Sequence, residues 1–173
     1  CKEKMRENGP ILVNYQYQYY THCKTKKGYS GVTIFSKIKP IRQLNDFDDE
    51  EGRLICLEYK DYYLIATYVP NSGAALKRLS YRVNQWDKQF KSYINKLMKS
   101  KEVIIVGDLN VANENIDVFK PETHLKSAGF TIEERNSFKN LLKETKLIDT
   151  YRYLYPTKQE YTYYNYRTKA RLY

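Results

Sequence analysis

Two short segments hold residues whose types and spacing suit the hydrolysis of a phosphate ester. In VIIVGDLNVA, residues 103–112, a β-branched apolar run leads into Gly107, followed by Asp108 and Asn110 two positions apart. If the extended conformation persists through Asn110, the period of two sends both side chains to the same side. A carboxylate there can align or deprotonate a water, and an amide can donate to a phosphate oxygen. The plain alternative is an Asp and an Asn forming an ordinary turn, and GDxN is short enough to recur by chance. The second segment, Thr67-Tyr68-Val69-Pro70-Asn71, offers a phenolic O–H and an amide, neutral donors for a charged phosphoryl group. Alone it reads better as strand-end packing at Tyr68 and a turn at Asn71. A third segment, Lys27-Gly28-Tyr29-Ser30-Gly31, can turn sharply and present its ring outward. It is either a plain turn before a strand or a loop that approaches a nucleic-acid groove.

The elements that must position these residues follow from periodicity. Tyr15, Tyr17 and Tyr19 alternate, as does GVTIFSK from Gly31, and both read as strands. Residues 53–59 and 62–69 are β-rich runs separated by Lys60-Asp61, a hairpin signal, preceded by an acidic loop at 45–52. From Leu76 through Leu79, Val83, Trp86, Phe90, Ile94 and Leu97 the apolar residues step by three and four, predicting one long amphipathic helix with these side chains in the core. The run 103–106 reads as a strand buried on both faces. Thr131 and Glu134 form a capping box that opens a second helix, with Phe138, Leu141 and Leu142 on one face. The expected class is α/β, helices covering sheet faces, in a single domain over residues 1–173.

The composition is globular, with 42% hydrophobic and 29% charged residues, and no apolar stretch is long enough to span a membrane. The first residues hold no apolar signal-peptide core, and a chain that begins at Cys1 reads as a fragment. The net charge of +10 fits either plain surface charge or a polyanionic partner bound with strong salt dependence. The three cysteines, Cys1, Cys23 and Cys56, show no metal-ligand spacing, which argues against zinc and fits a reducing intracellular compartment.

Taken in order, KGYSGVTIFSK, EEGRLI, TYVPNSG, LKRLSYR, VIIVGDLNVA, NENIDVFKP, SAGFTxxER and DTYRYLYP resemble the exonuclease III-type apurinic/apyrimidinic endonucleases, from about Gly28 to Arg171. The resemblance implies a four-layer α/β sandwich, two packed mixed sheets flanked by helices and incomplete in this chain. It implies a DNA repair endonuclease that cuts the phosphodiester 5′ to abasic sites in duplex DNA, with 3′-exonuclease or 3′-phosphodiesterase activity as a further option. Its cofactor would be Mg²⁺, with Mn²⁺ as a substitute, and Asp108 a weak ligand. Matched block by block, Tyr68, Asp108 and Asn110 are the catalytic residues. Gly28, Tyr29, Asn71, Arg78, His124, Ser127 and Tyr163 are DNA contacts, Tyr163 lining the pocket for the flipped sugar.

The departures are Ala74, where a polar residue often follows the turn, and His124 and Ser127, where the family has two Asn. Arg167 and its neighbours replace wedge-forming methionines. The family's metal-binding Glu would precede Cys1 and its closing His block would follow Tyr173, so the chain by itself is expected to be inactive; His22 and His124 do not stand in for that His. The resemblance implies a monomer with no membrane association, in the nucleus or mitochondrion of a eukaryote or the cytoplasm of a bacterium. Two rival readings remain. One is a metal-dependent phosphatase or phosphodiesterase of the same superfamily. The other is a non-catalytic nucleic-acid-binding relic that stacks bases on the tyrosines of residues 151–173, although those read better as strands with solvated charges.

Overall fold

The computed structural model describes residues 14–164; Cys1 and the basic end carrying Arg167, Lys169 and Arg171 lie outside them. The chain divides into two compact units, Cys1–Pro70 with Lys88–Asn110, and Asn71–Asp87 with Val111–Tyr173.

In the first unit, alternating aromatic and β-branched residues build two sheets. Strands β1 (Tyr17–His22) and β2 (Gly31–Ser36) pair antiparallel, in register from Tyr17↔Ser36 to His22↔Gly31. The second sheet has the order β3 (Arg42–Leu44), β4 (Leu54–Glu58), β5 (Tyr62–Tyr68) and β6 (Glu102–Asp108). Its first three strands are antiparallel, and the Lys60-Asp61 turn joins β4 to β5 as expected. The β5–β6 pair is parallel, which requires the long crossover between them. The three-residue β3 carried no periodic signal in the sequence.

The sheets pack face to face. Ile34 of β2 meets Ile55 and Leu57 of β4 and Ala66 of β5, with Tyr19, Val32, Tyr62 and Leu64 around them. Each fully buried aliphatic side chain here contributes about 2 kcal/mol of transfer free energy. Period two puts Cys56, Tyr63 and Ile65 on the opposite face, which helix α1 (Asp87–Leu97) covers. Tyr93 of α1 hydrogen-bonds Cys56 and donates its O–H to Asp46 Oδ1 at 2.9 Å, while Phe47 packs edge-on against Phe90 and Tyr93. Burial pushes the Cys56 thiol up to about 11 and Tyr93 further above its usual range.

The structure corrects three expectations. Strand β6 is not covered on both faces: Val103 is buried, but Ile104 and Val106 are each 46% exposed. These two share the face of Leu64 and Ala66, where β1 and β2 overlie β4 and β5; β6 is the outer strand among the described residues. The crossover helix does not start at Leu76, whose φ of 57° together with Ala75 at 53° places both in the left-handed region. It starts at Leu79–Tyr81 and passes through a π-helical turn, Arg82–Trp86, before α1. The extra residue of a π turn rotates the apolar stripe, so simple three-four counting through it cannot locate the start.

The third correction lies in the second unit, where the described tyrosine-rich residues 151–164 are not strands. Asp149 accepts the Arg152 N–H at 3.0 Å and caps a short helix, α3 (Thr150–Leu154), and no strand follows among the described residues. The capping box at Thr131 and Glu134 does open α2 (Ile132–Thr145). No described helix is long and apolar enough to cross a membrane.

Candidate active site

The carboxyl ends of β5 and β6 bring the two principal sequence segments together. Tyr68 and Asp108 are Cα partners in the parallel ladder, so their side chains leave the sheet on the same side. Val69 N–H donates to the Asp108 carbonyl at 2.9 Å and extends the ladder one step. The strands approach closely at Gly107: φ is 121°, and a Cβ there would lie 2.0 Å from the Thr67 carbonyl oxygen. Only glycine fits.

Beyond Asp108 the extended conformation does not persist, and Asn110 takes the turn that was the plain alternative. Asn110 adopts a φ of 47°, a left-handed conformation that asparagine tolerates. Asp108 Oδ1 accepts the Asn110 backbone N–H at 2.9 Å, and Asn110 Nδ2 donates to the Val69 carbonyl at 2.8 Å. These bonds replace strand geometry in fixing both side chains. The Asp108 carboxylate stays exposed to solvent.

The loop bearing Gly28 and Tyr29 belongs to the same unit. Gly28 has a φ of 70°, and the Tyr29 ring, 40% exposed, lies 5.0 Å from Lys26 Nζ and 5.4 Å from the Arg53 guanidinium. That guanidinium is also 4.8 Å from the Tyr68 ring centre, and its Nη1 donates to the Tyr68 carbonyl at 3.1 Å. Arg53 thus lies between two of the candidate residues. In the sequence EEGRLI is one of the family-like blocks and Arg53 opens the β-rich run 53–59, with no role given to its side chain. The signal was Gly52 before Arg53: its φ is 61°, and a Cβ there would lie 2.3 Å from the His22 carbonyl carbon, so glycine lets the chain turn tightly into Arg53.

In the second unit, Asn71 Oδ1 accepts the Gly73 N–H at 2.7 Å, so Asn71 forms the turn that one reading expected. Arg78 N–H bonds the Ser72 carbonyl at 2.8 Å, and its guanidinium lies 4.7 Å from the Tyr81 ring. His124 Nδ1 and Ser127 Oγ are 3.3 Å apart, so the two replacements for the family's asparagines form one pair. Tyr163 is 74% exposed. Glu134, fully buried, accepts from Ser72 Oγ, from the Gly129 N–H at 2.8 Å and from Thr131 Oγ1 at 2.8 Å. It ties the turn after Asn71 to the chain just after Ser127, a role that the capping-box signal alone did not reveal.

Among the described residues, no three His, Cys, Asp or Glu side chains gather into a group that could hold a metal ion. Asp108 could be only one ligand of such an ion, and the described residues do not supply the rest of a donor set. What they do supply is a carboxylate, a phenol and an amide in fixed relation at the ends of two strands.

Fold and site define a two-sheet α/β protein whose polar groups are displayed at parallel strand ends, as in enzymes that hydrolyse phosphate esters. The chain belongs to the endonuclease/exonuclease/phosphatase family, whose sequence profile matches residues 3–172. The DNA-(apurinic or apyrimidinic site) endonuclease of Dictyostelium discoideum is 44% identical over 156 residues, covering 87% of this chain and 43% of that protein. The exodeoxyribonuclease of Bacillus subtilis (strain 168) is 39% identical over 173 residues, covering 97% of this chain and 68% of that protein. Among solved structures, the AP endonuclease LMAP from Leishmania major superposes with a TM-score of 0.88 at 27% identity, covering 98% of this chain and 62% of that one. The expected sandwich fold is borne out by that match. The chain spans 43% to 68% of the length of these three proteins.

Proposed function

We propose that the protein carrying this chain is a DNA repair hydrolase that cuts the phosphodiester 5′ to abasic sites in duplex DNA. The observation that carries this reading is the in-register placement of Tyr68 and Asp108 at adjacent strand ends, with Asn110 locked beside them. In this reading Asp108 aligns the attacking water and accepts its proton, while Tyr68 and Asn110 hydrogen-bond the scissile phosphate. Holding these groups rigidly before the substrate arrives favours the transition state, because little reorganisation is left to do.

Gly28, Tyr29, Asn71, Arg78, His124, Ser127 and Tyr163 contact the DNA. The +10 charge draws the chain to it, with affinity falling as salt rises. A 3′-exonuclease activity belongs to the same proposal, in line with the name of the Bacillus relative. The family's metal dependence is assigned to Mg²⁺, with Mn²⁺ as a substitute. The protein is proposed to act as a monomer inside the cell, where a reducing compartment suits the free thiols of Cys23 and Cys56.

The test is to incubate the full-length protein with a labelled duplex containing one abasic site, with Mg²⁺ or with EDTA. A single nick 5′ to the site, abolished by EDTA, is expected. Equal cutting in EDTA, or none with Mg²⁺, overturns the reading.

A further inference from the structure

An enclosed charged side chain next to the candidate site has no part in the proposed reaction. Arg53 has only 4% of its side chain exposed. Its Nε donates to Glu51 Oε2 at 2.6 Å and its Nη1 to the Tyr68 carbonyl at 3.1 Å. Its own carbonyl accepts the Tyr68 N–H at 2.8 Å and Thr67 Oγ1 at 3.1 Å, and its N–H is held by the Asp49 carboxylate. The backbone bonds would be made by any residue there, but the two guanidinium bonds, to Glu51 and the Tyr68 carbonyl, are specific to arginine's fork of donors.

The guanidinium is planar and can stack on aromatic rings while its edge makes directed hydrogen bonds. Here it lies against two rings at once, Tyr68 at 4.8 Å and Tyr29 at 5.4 Å. Its edge bonds to Glu51 and the Tyr68 carbonyl keep it between the two rings. Removing the Tyr29 ring takes away the contact on one side and lets the cation resettle against Tyr68.

We propose that Arg53 is a positioning residue that couples Tyr29 to Tyr68, so that seating of the 28–31 loop on DNA sets the Tyr68 ring for reaction. The inference rests on the proposed function for the roles of those two tyrosines. The coupling itself is a property of the contacts around Arg53. Lysine would keep the charge beside Glu51 but not the planar stack with its fork of donors, so it should preserve the fold and lose the coupling.

The experiment is a double-mutant cycle in the full-length protein, combining Tyr29→Ala with Arg53→Lys. Single-turnover nicking of an abasic duplex is measured at saturating protein, beside the dissociation constant and the melting midpoint. With Arg53 present, Tyr29→Ala should slow the saturated rate about tenfold; in the Arg53→Lys background it should slow it less than about twofold. Additive effects overturn the proposal, because a purely structural Arg53 gives no such pattern. A second readout needs no activity: the ¹⁹F resonance of Tyr68 in fluorotyrosine-labelled protein, assigned through Tyr68→Phe. Tyr29→Ala should move that resonance when Arg53 is present and leave it in place in the Arg53→Lys protein. An identical shift in both backgrounds, or none in either, overturns the coupling. Absence of nicking with the expected resonance pattern would instead sink only the functional reading.

Discussion

Tyr68 and Asp108 are ladder partners on adjacent parallel strands, and the Asp108 carboxylate is itself held by the Asn110 N–H at 2.9 Å. Its orientation therefore does not depend on substrate. Asp108→Asn keeps the shape and an acceptor oxygen for that N–H but loses the base. In the full-length protein kcat should fall about 10²–10⁴-fold, the usual contribution of a positioned general base, with DNA affinity little changed. A raised KM with kcat intact would make Asp108 a binding or turn-forming residue.

Glu134 is buried with donors converging on it from Ser72, Gly129 and Thr131. Glu134→Ala leaves these donors without an acceptor and should lower the unfolding free energy by about 3 kcal/mol, the upper range for stranding a buried group. Denaturant unfolding measures this. A loss below about 1 kcal/mol would show that solvent reaches those donors.

How much of this was legible in the sequence differs by element. The hairpin 53–69 and the helix from Thr131 were, because a period of two and a capping box are local signals that tertiary packing then reinforced. The juxtaposition of Tyr68 and Asp108 was legible only through resemblance: register between β5 and β6 is set across the whole crossover, which no local pattern encodes. Extended chain and turn were both open for Asn110, because its left-handed turn depends on acceptors at Val69 and Asp108. Arg53 was missed because its role comes from two rings distant from it in sequence. The exposure of β6 was missed for a similar reason: a run of Val and Ile records the demand for cover but not whether a neighbour supplies it.

Glu58 receives Lys101 Nζ at 2.6 Å and Arg42 Nε at 2.6 Å, and these contacts hold its carboxyl below the ordinary 4.5. A depressed carboxylate stabilises the fold fully above its unfolded value, and that contribution disappears as pH falls through the lower folded value. Glu58→Gln should therefore lower the melting temperature at neutral pH, and the difference from the parent should shrink as pH falls below 4.5. A difference that stayed constant down to strongly acidic pH would assign the effect to packing instead.

Ile104 and Val106 leave an apolar strip on the outer strand β6. Expressed as these 173 residues, the chain should enhance the fluorescence of a hydrophobic dye, and Ile104→Thr with Val106→Thr should reduce that signal while preserving β propensity. Unchanged dye binding in the double variant would place the exposed apolar surface elsewhere.

The contact between Gly107 and the Thr67 carbonyl also bears on how this sequence can vary. Every base change in a glycine codon that alters the residue installs a side chain with a Cβ, or a stop. With that Cβ 2.0 Å from a backbone oxygen, none of the replacements fits without pushing β5 and β6 apart just where Tyr68 and Asp108 are paired. The codon is left with synonymous drift alone. Descendants of this gene that keep the strand pairing should therefore vary at this position in the third base and nowhere else.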